Sequence, residues 1–181
     1  MAVRQTSRVP FAKAIRSFSR NRRGSAAIEF AMIAVPFFLM LFAIIETGLV
    51  FFAQQALETA TQDTSRLLLT GQAQNAGYSQ SQFKTALCGN LNAMFDCTNG
   101  VYINVTNYAN FGAVAPSTPI DASGNFVNAF GYSPGGSGVI TLVQVYYMWP
   151  LFVTGLGYNY ANVNGHYRLL AATAAFRNEP Y

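Results

Sequence analysis

The chain has 181 residues, of which 51% are apolar and only 10% charged, where soluble proteins usually carry about a quarter charged residues. Its formal charge of +4 is unevenly spread: residues 1–24 hold seven Lys/Arg and no acid, whereas residues 25–181 hold four basic and seven acidic residues. This division excludes a basic domain surface of the kind that nucleic-acid binders present, and the length suits one small domain plus an anchor.

The basic arm comes first. Phe11, Ile15 and Phe18 fall at helical spacing among Lys13, Arg16 and Arg20, which fits either a short amphipathic helix on a membrane surface or an unstructured arm. A basic flank directly before an apolar run is the side that stays cytoplasmic under the positive-inside rule, so residues beyond about 54 are expected outside.

From Phe30 to Ile45 there is no charged residue, and Glu46 is the only one before Gln54. Ala26 to Ala53 exceeds the roughly 20 residues, at about 1.5 Å each, that cross a ~30 Å hydrocarbon core. A cleavable signal peptide shares the basic start, but its apolar core is shorter and ends at a small-residue cleavage site. Here the helical pattern continues instead. Ala53, Ala56, Leu57, Ala60, Thr64, Leu67 and Leu68 lie on one face, and Gly71 stands where a helix C-cap is expected. The spacing predicts one helix over 25–70, about 69 Å long at ~1.5 Å per residue. Its first half is uniformly apolar and its second half amphipathic, with Pro36 as a candidate kink.

Beyond it, Tyr78–Leu91 reads as a short helix with Phe83, Ala86 and Leu87 inward. Val101–Tyr108, Gly138–Trp149 and Tyr167–Phe176 read as strands, rich in β-branched and aromatic residues. Residues 109–137 hold Pro116, Pro119 and Pro134 among Gly, Ser and Asn, predicting a long loop with a short strand near Phe126. Three such strands need a cover, and the amphipathic half of the long helix supplies one. The expectation is an α+β protein: a basic leader (1–24), a transmembrane and amphipathic helix (25–70), and a periplasmic α+β domain with an antiparallel sheet (71–181).

Cys88 and Cys97 are the only cysteines. In an oxidising compartment they are expected to form a disulfide around a small loop, worth ~2–3 kcal/mol on the chain-entropy model; two buried thiols are the other reading. Metal binding lacks support, with one histidine, His166, and no Cys-x-x-Cys spacing. His166 has no evident nucleophile partner, Asn104-Val-Thr106 fits a glycosylation sequon by pattern alone, and Ser133–Gly138 lacks the Lys-Ser/Thr of a phosphate loop, leaving a flexible loop. No nucleophile–base pair or cofactor loop marks an enzyme, so neither catalytic residues nor a cofactor is expected.

Glu29 is a carboxylate at the head of a membrane helix, a costly position unless it lies near the interface or meets a cation. The helix dipole helps it there. Glu46 lies 17 residues later in the sequence, about 25 Å along a helix at ~1.5 Å per residue. It is either an interfacial carboxylate reaching water or a contact to another subunit's helix.

Arg23-Gly-Ser-Ala-Ala-Ile-Glu-Phe30 resembles the processing signal of prepilins and pseudopilins. With Pro36, Ile45-Glu-Thr-Gly48, Phe52-Ala-Gln-Gln-Ala-Leu-Glu58, Arg66 and the ending Ala174-Ala-Phe-Arg-Asn-Glu-Pro180, the chain resembles TadE-like proteins. These are minor pseudopilins of Tad (tight adherence, Flp-type) pilus systems. Leu49 departs from the pattern, which favours Arg after the glycine. The resemblance implies that a membrane aspartyl peptidase cuts between Gly24 and Ser25. It further implies that Glu29, followed by Phe30, packs one subunit against the new amino terminus of its neighbour. The implied partners are a prepilin peptidase, other pilins and pseudopilins, Tad inner-membrane assembly proteins and the lipid bilayer, with no nucleic acid. An uncleaved, membrane-anchored periplasmic binding or sensor module is the alternative.

Overall fold

The computed structural model describes residues 24–91, 93–153 and 159–181. The expected arm over 1–23 lies outside them. Helix α1 runs Ser25–Leu69 with Pro36 inside it, followed by a single turn α2 (Gln72–Asn75) and by α3 (Gln80–Asn90). Strand β1 (Val101–Tyr108), a 3-10 turn (Phe111–Ala113), β2 (Ile140–Pro150) and β3 (Tyr167–Arg177) complete the chain. By compactness the chain divides after Phe42, so the part of α1 from Ala43 onward belongs with the sheet as one unit, Ala43–Tyr181.

Within that unit the sheet is antiparallel throughout, in the order β1-β2-β3. Ile103 faces Val145 across one pair and Val145 faces Ala172 across the other. Side chains alternate along a strand, so Val101, Ile103 and Val105, then Val143, Val145, Tyr147 and Trp149, then Leu170 and Ala172 share one face. Against that face lie Val50, Ala53, Leu57, Ala60 and Leu68 of α1, with Phe83 and Leu87 of α3. Leu57, Phe83 and Leu87 are fully buried, each worth about 1.5–3 kcal/mol of transfer free energy. Thr61 and Thr64 also sit on the buried stripe. Each hydroxyl donates to the carbonyl four residues back, Leu57 O at 2.7 Å and Ala60 O at 2.8 Å, which removes the cost of hiding it.

The other face of the sheet is covered too, so β2 is buried on both sides rather than alternating. Its cover is the loop over 109–137. Tyr102, Phe126, Phe130 and Tyr146 form an aromatic cluster there, with Phe130 stacked on Tyr146 at 5.1 Å between centroids. Beside it Gln144, Ser117 and the Tyr146 hydroxyl bond to one another, Tyr146 Oη donating to Ser117 O at 2.7 Å. Burial pushes the Tyr146 hydroxyl above its ordinary pKa, only partly opposed by the bonds from Ser117 and Gln144. The short strand expected near Phe126 is a single bridge, Ile120 to Phe126, and residues around Tyr132 line the outer edge of β1 instead.

Helix α1 ends where the sequence places its stop. Gly71 adopts φ +74°, and a Cβ there would meet the Tyr181 ring at 2.3 Å, so both backbone and space call for glycine. Helix α3 starts with a capping box: the Ser79 side chain takes the Gln82 amide and the Gln82 side chain takes the Ser79 amide. Cys88 and Cys97 are joined in a disulfide with Cα atoms 6.0 Å apart. The chain's end closes the unit. Glu179 N donates to Leu69 O at 2.8 Å, and the buried Asn178 side chain donates to Pro134 O and Gly136 O. The Ser133–Gly138 loop, expected to be flexible, is thus held by hydrogen bonds from Asn178, Arg177 and Gln74.

Candidate functional site

Helix α1 and the residue directly before it carry every position the sequence singles out for processing and assembly. Gly24 is exposed, directly before the first helical residue, Ser25, and no atom would crowd a Cβ on it. Glu29 lies in the second turn and is exposed, and Phe30 beside it is 70% exposed. Ile28, Met32, Ile33, Val35 and Phe37 are likewise exposed, so the helix presents apolar side chains on all sides. A helix apolar all round belongs in lipid or among other helices. It is long and apolar enough to cross a membrane, and none of its most apolar window is buried within the chain.

Glu46 differs. It is 6% exposed, and its carboxylate accepts the backbone N–H of Phe152 and, with both oxygens at 3.2 Å, that of Val153. A buried carboxylate is expensive unless it receives such charge-assisted bonds. This departs from both sequence expectations: the carboxylate neither reaches water nor is left over for another subunit's helix. It ties α1 to the turn that follows β2 within the same chain. The sequence did hold a signal. Glu46, Val50, Ala53, Leu57 and Ala60 recur at intervals of four and three residues, which puts Glu46 on the stripe that faces the sheet.

Two turns further, Gln54 Nε2 donates to the Ala171 carbonyl at 2.8 Å and to Glu58 Oε1 at 2.7 Å, tying α1 to β3. The Phe52–Glu58 motif therefore serves docking of the helix on the sheet. Asn104 of the sequon is buried, and its amide donates to Gln144 Oε1 at 3.3 Å, so the folded unit withholds it from modification. His166 is an exposed turn residue with φ +65°, its carbonyl taking the Leu151 amide.

Two exposed turns carry the unit's electrostatic signature. Asp96 accepts the amides of Asn99 and Thr98, and Asp121 those of Asn125 and Ser123; these bonds hold both carboxyls below the usual aspartate range. The Asp96 turn adjoins Cys97 and so braces one end of the disulfide.

Residues 24–66 match the family model of TadE-like protein. The match begins at the glycine before α1 and extends through the exposed apolar stretch, Glu46 and the docking turn to Arg66. No curated protein and no solved structure matches the chain.

Proposed function

We propose that this chain, whose residues 24–66 match the TadE-like family, is a minor pseudopilin acting in the assembly of a Tad pilus. The observation that carries this reading is the succession of Gly24, Glu29 and a largely exposed apolar helical stretch from Ile28 to Ile45. A prepilin peptidase cuts between Gly24 and Ser25, leaving a charged amino terminus at the start of α1. Glu29 of a neighbouring subunit receives that charge, while the apolar surface from Ile28 to Ile45 packs against lipid before assembly and against pilin helices after it. The basic leader stays cytoplasmic and the head lies in the periplasm, where the Cys88–Cys97 disulfide persists. A head of three strands and a cover loop is bulky beside the helix, so the chain starts or limits a fibre rather than repeating densely along it.

The test is the amino-terminal sequence of the protein recovered from membranes of cells with and without the peptidase. A mature start at Ser25 that requires the peptidase is expected. An intact amino terminus in both strains would sink the processing step and favour an uncleaved anchored module.

A further inference from the structure

Phe152 is 83% exposed, on the turn that follows β2. A single exposed apolar side chain is ordinary on a soluble surface; the surroundings of this one set it apart. The Phe152 amide is bonded to Glu46, which fixes the turn at the level of Glu46 on α1. At that level and just beyond it, α1 itself exposes Ile45, Leu49, Phe51 and Phe52, each between 45% and 62%. With its backbone held at Glu46, Phe152 adds an exposed ring to the apolar collar that α1 presents at that level. Roughly 20 helical residues cross the hydrocarbon core, so a span that enters at Ala26 leaves it near Glu46. The collar lies at the exit.

We infer that the turn after β2 is a second membrane-contacting element, with Phe152 seated in the outer-leaflet interface beside α1 and Glu46 as the positioning residue that sets its depth. This rests on the membrane-spanning reading of α1. The partner is lipid: the collar continues the lipid-facing surface of the helix, and aromatic side chains are favoured at the boundary between acyl chains and water.

The full chain reconstituted in phosphatidylcholine vesicles provides the test. Trp149 is the only tryptophan, so Phe152→Trp in a Trp149→Phe background gives a single probe; should that background fold poorly, Phe152→Trp alone with the Trp149 emission subtracted serves instead. Lipids brominated near the carbonyl end are expected to quench the probe several-fold more than aqueous iodide does. Quenching by iodide instead would overturn the inference, and shielding from both would overturn it in favour of a protein surface covering the ring. Adding Glu46→Ala is expected to shift quenching toward iodide; unchanged quenching would remove the positioning role. Phe37→Trp in the same background separates the two claims. If mid-chain bromines quench it while Phe152→Trp stays in water, only the present inference fails. If they do not, the spanning helix fails and the inference falls with it.

Discussion

Helix α1 is a single element whose two parts are surfaced differently. Before Phe42 all its large apolar side chains from Ile28 to Met40 except Leu39 are exposed at between 47% and 73%; after Glu46 the inward positions Val50, Ala53, Leu57, Ala60 and Leu68 are at most 3% exposed. Both parts are rich in Leu, Phe and Ala, so these residues do not separate them. What separates them is where polar residues recur. The downstream part places Gln54, Gln55, Glu58, Gln62, Asp63 and Arg66 around a stripe that faces the sheet, and the upstream part has no polar side to turn toward water. One covalent helix therefore packs into the head at one end and keeps its apolar side chains exposed at the other.

That division makes substitutions of the same kind unequal. Leu57→Ala empties a fully buried site and is expected to cost about 2–5 kcal/mol in denaturant unfolding of the detergent-solubilised chain. Phe37→Ala, at 60% exposure, is expected to change head stability by less than about 0.5 kcal/mol in the same assay. Equal losses would erase the distinction. Glu46→Ala comes next: it leaves the Phe152 and Val153 amides without their acceptor, and about 1.5–3 kcal/mol is the scale for bonds to a charged group. A loss near zero would mean that the tie forms only in passing.

The smallest effect concerns acid, and it acts on the head alone. Asp96 and Asp121 titrate lower when folded than the ordinary value of 3.8, so they bind protons less readily in the folded state. Their contribution is complete above the unfolded value and is lost as pH falls through the lower folded one. Amide exchange at Thr98, Asn99, Ser123 and Asn125 is expected to lose protection relative to the strands once pH drops below that ordinary value, with Asp96→Asn removing the change around Thr98. Protection that holds steady across this range would contradict it.

Much of this was legible in the residues. The helix stop at Gly71 and the three strands followed from local signals: a left-handed cap position and β-branched runs flanked by turn residues. The cover by the second half of α1 followed from the need to bury an apolar face. Three features were not legible, for a shared reason. The double burial of β2 depends on the loop over 109–137 folding back, and no local propensity dictates where a Pro- and Gly-rich loop lands. Glu46 likewise meets backbone amides more than a hundred positions away in the chain, a pairing that side-chain patterns do not encode. Its phase on the buried stripe was visible; its partner was not. The hold of Asn178 on the Ser133–Gly138 loop is a third case, since a terminal Asn carries no sign of which carbonyls it will meet.

The most direct measurement of the divided helix is photocrosslinking in membranes with photo-leucine placed at Leu41 or at Leu57. The two residues are chemically identical and differ in surroundings, 38% exposed against fully buried. The account predicts that the Leu41 probe captures lipid or a second polypeptide, whereas the Leu57 probe reacts only within its own chain. Intrachain products alone at Leu41, or a second polypeptide captured at Leu57, would contradict it.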